Sequence, residues 1–310
     1  MKKVFIDGKA GTTGLRIYER LGERKDIEII TLSEDERKDI EARRKALNSA
    51  DVAFLCLPDA ASIEAVSLID NDHTVLIDTS TAHRTNDEWA YGFPELGNNF
   101  ESKIKNSKRI AVPGCHASGF IALVYPLIEA GIISKNVLLT CHSLTGYSGG
   151  GKKMIAEYES DEKDSLLSAP RQYGITQQHK HLKEMKAITG LEKAPMFSPI
   201  VADFYSGMEV TVPLFAEFLN DGKNIEDIKN AYKTKYSGDI VKYKENADEA
   251  GFLSAGALSG KDSMEISVYG NENRILLTAR YDNLGKGASG AAIECLNIVL
   301  DCKETIGLEL

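Results

Sequence analysis

Short apolar strands alternate with helical stretches over the first eighty residues, and this alternation constrains the fold more than any other feature of the chain. A charged helical stretch lies at 34–48 and an apolar one at 60–69. Strands and helices at this spacing are typical of βαβ units and predict an α/β fold with a parallel sheet. The four strand signals, of which the third and fourth are almost continuously apolar, are Lys3–Ile6, Ile27–Leu32, Val52–Leu57 and Thr74–Asp78.

A glycine turn separates the first strand from the first helix. Its glycines, Gly8, Gly11 and Gly14, are spaced three residues apart, and Thr12 and Thr13 lie between them. Such a turn brings the backbone close to a pyrophosphate, which then meets the N–H groups at the start of the helix. We therefore predict that these five residues bind a dinucleotide. The alternative is an ordinary strand–helix turn, and the position after the first βαβ strand argues against it.

The residues after the second strand bear on which dinucleotide binds. An NAD enzyme usually carries an acidic residue at this strand end to hold the ribose 2′-hydroxyl. Here the strand ends at Ser33, and Arg37 and Lys38 follow one turn later. Ser33 and Arg37 therefore favour NADP(H), since they offer charge-assisted bonds to a 2′-phosphate. The alternative is that Ser33 and Glu36 form a capping box on a solvated helix.

A second pattern begins after about residue 119, where longer strand signals replace the βαβ units. A turn signal at 271–273 and intervening helical segments favour a largely antiparallel sheet with helices on one face. The final stretch, 285–300, is glycine-rich and then apolar, and we expect it to return to the first domain. The strand signals are Val137–Leu144, Met208–Phe218, Met264–Tyr269 and Ile275–Tyr281.

Two domains are therefore predicted in the 310 residues. Residues 1–118 with 285–310 form a Rossmann-type NADP-binding domain, and residues 119–284 form an α+β catalytic and oligomerisation domain. The apolar strands of the second domain suggest that its sheets pair between subunits. We accordingly expect a homo-oligomer, either a dimer or a tetramer.

Composition argues against nucleic-acid binding, a membrane span and a disulfide framework. The formal net charge is −9 and no basic block with interleaved aromatic residues occurs, so nucleic acid is not expected to bind. No window approaches about 18 continuous apolar residues, so no membrane span is expected. Five scattered cysteines without a CxxC pair argue against a disulfide framework and favour the reducing cytoplasm.

Cys115 is the strongest candidate for chemistry. It follows Pro113-Gly114 and directly precedes the apolar helical stretch 120–128. A thiol at a helix N-terminus meets free N–H groups and the positive end of the helix dipole, which favour the nucleophilic thiolate. The alternative, a buried thiol that acts as a small hydrophobe, fits Cys56, Cys295, Cys302 and Cys141 better, because they lie within apolar runs.

A cysteine nucleophile needs an acid/base partner, and a polar stretch supplies two histidines, His179 and His181. We assign His181 as the acid/base and His179 as a substrate ligand, and the two roles could be exchanged. Glu184 follows three residues later, but without a third clear ligand no metal is predicted. His116 adjoins the cysteine and is expected to point elsewhere, while His73 and His83 are expected on surface loops.

Taken together, these motifs resemble the N-acetyl-γ-glutamyl-phosphate reductase family, in its shorter type, within the aspartate-semialdehyde dehydrogenase-like superfamily. The likeness extends over essentially the whole chain, and the absence of the acidic anchor that NAD-type folds carry at the end of the second strand agrees with that family's NADP preference. The segments that carry it are Gly8–Gly14, Leu57–Asp59, Asp78–Arg84, Tyr91–Gly97, Val112–Gly119, Ser143–Gly150, His179–Glu184 and Asp282–Gly290.

The resemblance implies the NADPH-dependent reduction of N-acetyl-L-glutamyl 5-phosphate to N-acetyl-L-glutamate 5-semialdehyde through a thioester on the cysteine, a step of arginine biosynthesis. The substrate carries a carboxylate and a phosphate, and Arg84 is expected to bind one of them. Ser143 and Gly146 are expected to contact substrate, in a loop whose N–H groups could form an anion nest. Asn283 and Gly287 are expected to contact the cofactor, unless this segment is only a strand–helix turn.

Three other functions remain open at this point. A reductase of another acyl phosphate, such as aspartate-semialdehyde dehydrogenase, would use the same cysteine with a different substrate pocket. A non-catalytic NADP-sensing protein would need no reactive thiol. A Cys-His hydrolase would need no cofactor and would leave the glycine turn without a purpose.

Overall fold

The computed structural model describes all 310 residues, which form two compact units. Unit 1 comprises residues 1–94, 98–114 and 288–308, and unit 2 comprises residues 95–97, 115–287 and 309–310. The strands are β1 Lys2–Asp7, β2 Ile27–Ile30, β3 Val52–Leu55, β4 Val75–Asp78, β5 Ala90–Tyr91, β6 Arg109–Ala111, β7 Thr140–Gly146, β8 Arg171–Gln172, β9 Met196–Ala202, β10 Met208–Phe215, β11 Val241–Tyr243, β12 Met264–Gly270 and β13 Arg274–Tyr281. The α-helices are α1 Thr12–Gly22, α2 Ile40–Ser49, α3 Asp59–Ser67, α4 Asn98–Asn106, α5 Cys115–Glu129, α6 Gly151–Glu159, α7 His181–Thr189, α8 Ile225–Lys235 and α9 Gly290–Val299.

Unit 1 contains the predicted parallel sheet. Its six strands run in the order β2-β1-β3-β4-β6-β5, and every neighbouring pair is parallel. The strand order reverses beside β1, as in doubly wound folds, where ligands bind at the carboxyl ends of the strands. The prediction of an α/β fold of Rossmann type is confirmed.

Both faces of this sheet are covered, as the continuous apolar strands require. Val52 and Phe54 of β3 pack into one core cluster, while Ala53 and Leu55 pack into another on the opposite face. Helices α1 and α9 cover the first face, and α2 and α3 cover the second. Because α9 contributes Ile293 to the first cluster, the final helix does return to the first unit, as predicted.

Unit 2 is built on a mixed seven-stranded sheet with the order β11-β12-β13-β10-β7-β9-β8. The pairs β11–β12 and β7–β9 are parallel and the remaining four are antiparallel. The predicted hairpin at 271–273 joins β12 to β13. Inward and outward positions alternate along β10, which is the pattern of a sheet covered by helices on one face.

Apart from residues 95–97, which belong to unit 2, the chain passes from unit 1 to unit 2 between Gly114 and Cys115 and returns between Gly287 and Ala288. The boundaries predicted from the sequence are 118/119 and 284/285. The cysteine and the whole of α5 therefore belong to unit 2. No helix of the chain is both long and apolar enough to cross a bilayer.

Candidate active site

The glycine turn is held by backbone packing that excludes larger residues at two positions. Gly8 has φ +83°, and a Cβ there would lie 2.3 Å from the Cys56 carbonyl oxygen. A Cβ at Gly14 would lie 2.6 Å from the Gly8 oxygen. At Gly11 the nearest atom would be 3.4 Å away, so packing alone does not require glycine there. Gly11 instead fits a position where a ligand approaches the backbone.

The start of α1 has the features of an anion site. Thr12 is its first residue, and its hydroxyl oxygen is buried without a hydrogen-bond partner. Because a buried hydroxyl without a partner is costly, this donor fits a phosphate oxygen at the helix N-terminus. Thr13 follows in the first turn and is half-buried.

A cavity of about 200 Å³ opens beside this turn in unit 1. Its walls come from the ends of β1 and β2, from the glycine turn and from charged side chains of the following segment. The residues present thus fit the adenosine half of a dinucleotide, with apolar walls and few polar groups. Lining residues include Gly8, Lys9, Ala10, Ile30, Leu32, Arg37, Arg43 and Leu57.

Ser33 and Arg37 have different surroundings at the end of β2. The Ser33 N–H and hydroxyl both donate to the Glu36 carboxylate, at 2.8 and 2.7 Å, and this is the capping box considered as the alternative. Ser33 does not line the cavity, whereas Arg37 does. A 2′-phosphate would therefore reach Arg37 directly but would have to displace Glu36 to reach Ser33.

Arg43 of α2 is a cavity residue that sequence reasoning missed. Its guanidinium binds Asp7 at the end of β1 at 2.9 Å and Glu64 of α3 at 2.8 Å. Burial raises the pKa of Asp7, and the bonds to Arg43 oppose that shift. In the sequence Arg43 belongs to a charged helical run that reads as a solvated face, so no local signal distinguishes it.

Cys115 begins α5 in unit 2 and is half-buried. Gly287 is packed against it, because a Cβ on Gly287 would lie 3.1 Å from the Cys115 Cβ. Burial raises the pKa of Cys56 to about 12 and also raises that of Cys141. These two thiols stay protonated, as expected for cysteines that act as small hydrophobes.

His179 and His181 are brought together at the start of α7, with ring centroids 4.7 Å apart. The Nδ1 of His179 accepts the His181 backbone N–H at 3.2 Å, so Nδ1 is the unprotonated nitrogen of the neutral ring and Nε2 carries the hydrogen. His179 is half-buried, and burial lowers its pKa, with a smaller effect from Lys180. His181 is only 5% exposed. At neutral pH His179 is therefore an uncharged and reachable base.

His116 lies inside this histidine cluster, and the expectation that it points elsewhere is wrong. Its ring centroid is 5.8 Å from that of His179 and 5.7 Å from that of His181. Burial lowers the pKa of His116 to about 3, so it is neutral. Adjacency in a helix separates side chains by only about 100°, so His116 can follow the cysteine and still face the same site.

Tyr173 completes the cluster and was also missed. Its hydroxyl lies 2.5 Å from the His116 Nε2, while the His116 Nδ1 lies 2.6 Å from the Ser143 hydroxyl. Burial raises the pKa of Tyr173, and the negative charge of the Cys115 thiolate raises it further. The phenol is thus within electrostatic reach of the cysteine. Tyr173 stands six residues before His179 in a polar, glycine-containing segment that offers no periodic signal.

Arg84 belongs to an ordered loop after β4 in unit 1. Its Nε donates to the Val112 carbonyl at 2.8 Å and its Nη2 to the Thr79 carbonyl at 2.9 Å. It thereby fixes the backbone three residues before the cysteine.

His83 was expected on a surface loop, but it is 8% exposed, stacks on Trp89 and lies 2.6 Å from Asp78.

The loop after β7 differs from the predicted anion nest. The N–H groups of Gly146, Tyr147 and Ser148 donate to backbone carbonyls of 204–207 at 2.9–3.0 Å. A Cβ at Gly146 would lie 2.6 Å from the Tyr205 oxygen, so glycine is required by this packing. Because these N–H groups already have partners, they are not available to an anion here. Ser143 is fully buried behind His116.

The segment after β13 is also tightly organised. Asn283 is 2% exposed; its amide donates to the Ser148 hydroxyl and accepts the Gly207 N–H, both at 2.9 Å. It therefore joins two loops, and its contact with the cofactor stays a prediction. Lys286, also missed, is 2% exposed and binds both carboxylate oxygens of Glu95 at 2.7 and 2.8 Å.

Two family models match these same units. The semialdehyde dehydrogenase NAD-binding domain matches residues 3–106, and the semialdehyde dehydrogenase dimerisation domain matches residues 115–283. Among solved structures, aspartate semialdehyde dehydrogenase II of Vibrio cholerae matches with TM-score 0.72 and 17% identity, over 97% of this chain and 98% of that one. The Candida albicans aspartate semialdehyde dehydrogenase with NADP matches with TM-score 0.68 and 15% identity, over 99% of each chain. These likenesses concern the fold.

Curated relatives are more similar in sequence. The chain is 44% identical to N-acetyl-gamma-glutamyl-phosphate reductase 2 of a Nostoc species, over 99% of both proteins. It is also 44% identical to the N-acetyl-gamma-glutamyl-phosphate reductase of Sinorhizobium medicae, over 96% of this chain and 98% of that protein. With this identity over nearly the full length of both partners, the chain belongs to the N-acetyl-γ-glutamyl-phosphate reductase family of the semialdehyde dehydrogenases.

Proposed function

We propose that this enzyme reduces N-acetyl-L-glutamyl 5-phosphate to N-acetyl-L-glutamate 5-semialdehyde with NADPH, through a thioester on Cys115, in arginine biosynthesis. The observation that carries the proposal is the half-buried cysteine at the first position of α5, followed directly by His116, whose ring lies in a cluster with His179 and His181. A neutral histidine can accept a thiol proton, and the helix N-terminus then stabilises the thiolate.

The chain's own groups account for the first half of the reaction. His179 takes the proton from the Cys115 thiol at its unprotonated Nδ1, which then releases the His181 N–H, and the thiolate attacks the carbonyl carbon of the acyl phosphate. A bond from sulfur to carbon forms while the carbon–oxygen bond to phosphate breaks. Inorganic phosphate leaves with that electron pair. Arg84 and the N–H groups at the start of α5 are the positive groups that we assign to the anionic substrate.

The second half regenerates the cysteine. When bound, the nicotinamide cofactor supplies the hydride that reduces the thioester carbon. As the carbon–sulfur bond breaks, His179 returns its proton to sulfur, and the departed phosphate takes one proton from solvent, so one solvent proton is consumed in each turnover. We place the acid/base role on His179 rather than His181, because His179 is the more exposed ring and its pKa is lowered. His181 then packs behind it as a supporting ring.

The choice of NADPH over NADH rests on Arg37. Replacing Arg37 with Ala is expected to raise the Kd for NADPH about 10- to 100-fold, because one charge-assisted contact to the 2′-phosphate is lost. The Kd for NADH should change less than about 2-fold, since NADH lacks that phosphate. Fluorescence titration with both cofactors measures the ratio.

A matched control for Arg37 is the next residue, Lys38, which is exposed and does not line the cavity. Lys38→Ala removes the same charge from the same segment and should leave both dissociation constants near wild type. An equal loss of NADPH and NADH affinity in Arg37→Ala would contradict the assignment.

The substrate is tested by steady-state assay. We expect NADPH oxidation coupled to aldehyde formation with N-acetylglutamyl phosphate, and a kcat/KM at least about 100-fold lower with aspartyl phosphate, since an unfilled acetyl pocket loses binding energy in the transition state. The reverse order would favour an aspartate-semialdehyde dehydrogenase activity. Turnover of neither substrate, with NADPH still bound, would favour an NADP-sensing protein.

A homo-oligomer, either a dimer or a tetramer, is proposed from the surface of unit 2. Large apolar side chains are exposed there, among them Leu138 at 63%, Met196 at 65% and Phe215 at 56%. Single exposed hydrophobic residues are common, but a group on one domain suggests association. Sedimentation equilibrium should give a multiple of the 33.9 kDa chain mass, and a monomer at micromolar concentration would defeat the proposal.

We infer a cytoplasmic enzyme because its thiol nucleophile needs a reducing compartment.

A further inference from the structure

Tyr281 is the last residue of β13, and its buried hydroxyl reaches the first turn of α5. The hydroxyl donates to the Cys115 carbonyl oxygen at 2.5 Å and accepts the Gly119 N–H at 3.0 Å. Residues 115 and 119 are four apart, so these are the two backbone groups that a regular α-helix would join to each other. The phenol bridges this pair.

Gly119 makes the bridge possible. A Cβ at this position would lie 2.7 Å from the Tyr281 hydroxyl oxygen, 2.7 Å from Val210 Cγ2 and 2.9 Å from the Tyr281 Cε1, closer than real Cβ atoms approach. Glycine in a helix interior is less favourable than alanine. Glycine is needed here because only glycine leaves room for the Tyr281 ring and for Val210 of β10. The position of the Tyr281 ring therefore depends on glycine at residue 119.

The segment that follows β13 also packs against the Cys115 side chain. Gly287 follows Tyr281 by six residues. Because Gly287 has no side chain, Cys115 can pack against it; a Cβ on Gly287 would lie 3.1 Å from the Cys115 Cβ. A Cβ on Gly287 would also lie 3.1 Å from the Asp282 carbonyl oxygen, so the turn after β13 is closed on itself. The peptide of the nucleophile is thus held by a strand end of its own unit.

We propose that Tyr281 is a positioning residue for Cys115: its bridge between the Cys115 carbonyl and the Gly119 N–H sets the orientation of the first peptide of α5 and so aims the sulfur. The inference deepens the proposed function and rests on Cys115 being the nucleophile. Without the bridge, the first turn of α5 loses its hydrogen bonds to the end of β13, so the direction of the Cys115 Cα–Cβ bond is fixed less firmly. A misplacement of about 1 Å costs roughly 100-fold in rate.

The electrostatics of the phenol agree with this placement. Burial raises the pKa of Tyr281 well above its usual value, and the charge of the Cys115 thiolate raises it further. The hydroxyl therefore keeps its proton while the thiolate forms. It stays a donor to the Cys115 carbonyl throughout the reaction.

Two other tyrosines supply matched controls on the same helix. Tyr236 donates to the Ala122 carbonyl at 2.7 Å, and Tyr232 donates to the Leu123 carbonyl. Pro126 lies in α5 and has no N–H for the Ala122 carbonyl, so Tyr236 satisfies a group that the proline leaves open. Both are buried phenols bonded to a backbone carbonyl of α5, but neither contacts the cysteine turn.

The test compares Tyr281→Phe with Tyr236→Phe, each of which removes one hydroxyl. The measurements are kcat, KM, the melting temperature and the rate of iodoacetamide alkylation of the Cys115 peptide between pH 5 and 9. In Tyr281→Phe we expect kcat to fall about 10- to 100-fold and alkylation to slow about 10-fold at a given pH, with KM within about 3-fold of wild type. Tyr236→Phe should lower the melting temperature similarly and leave both rates within about 3-fold.

Gly119→Ala is the second variant, because its methyl group occupies the space of the phenol, and also contacts Val210, without removing the hydroxyl. It should reproduce the loss of kcat and of alkylation rate. Wild-type rates in Tyr281→Phe, or equal rate losses in Tyr236→Phe, would overturn the proposal. If Tyr281→Phe does not fold, Gly119→Ala decides by the same two rates. A Cys115→Ser enzyme that still turns over would instead defeat the proposed function, so the two failures are distinguishable.

Discussion

Cys115→Ser is expected to abolish turnover, with a loss of at least about 10⁴-fold in kcat, while the Kd for NADPH stays within about 2-fold of wild type. A serine hydroxyl is a far weaker nucleophile than a thiolate at neutral pH, and the thioester cannot form on it. The substitution changes one atom on a half-buried side chain, so no cavity is created and packing is kept. Single-turnover assays and a cofactor titration on the same preparation measure the two quantities.

The control for this experiment is Cys302→Ser. Cys302 is half-buried as well, lies in unit 1 and takes no part in the proposed chemistry. Its substitution should leave kcat and the cofactor affinity unchanged. Parallel loss of turnover and of NADPH binding in Cys115→Ser would mean that the cysteine is structural, and retained turnover would remove the thioester from the mechanism.

His179→Asn is expected to lower kcat/KM about 10²- to 10⁴-fold at pH 7, which is the usual contribution of a general acid/base. Asparagine is chosen because its side-chain oxygen can still accept the His181 backbone N–H, as the His179 Nδ1 does at 3.2 Å. The local turn at the start of α7 is then preserved while the ionisable ring is lost. A change in kcat/KM without a change in melting temperature separates chemistry from stability.

The pH dependence adds a second criterion. Burial lowers the pKa of His179 below 6.5, so the wild-type base should stay active at pH 6.5 and lose activity only at lower pH, as the ring becomes protonated. The acid limb of kcat/KM should therefore lie below pH 6.5 and should disappear in His179→Asn. His73→Asn, a change at an exposed histidine, is the control and should keep the limb. If His181→Asn loses the limb instead, the roles of the two rings are exchanged.

Several features of this protein are local and can be read from the order of residues. The βαβ spacing predicts the parallel sheet, because apolar runs of four to six residues must be covered on both faces. The glycine turn and the cysteine after Pro113-Gly114 are recognisable because each depends on a short backbone conformation at an element boundary. Strand β9 was missed, since Pro199 and its polar neighbours interrupt the strand pattern.

The surroundings of these motifs depend on contacts between distant segments. His116 and Tyr173 are 57 residues apart in sequence and meet in the folded chain, where α5 packs against α7. The bond from Tyr281 to Cys115 spans 166 residues and reaches a backbone carbonyl, a group that every residue carries and that no motif marks. The identity of the nucleophile is thus a matter of local chemistry, whereas its orientation and the charge states of its neighbours follow from folding, because burial and long-range hydrogen bonds do not exist before the two sheets form.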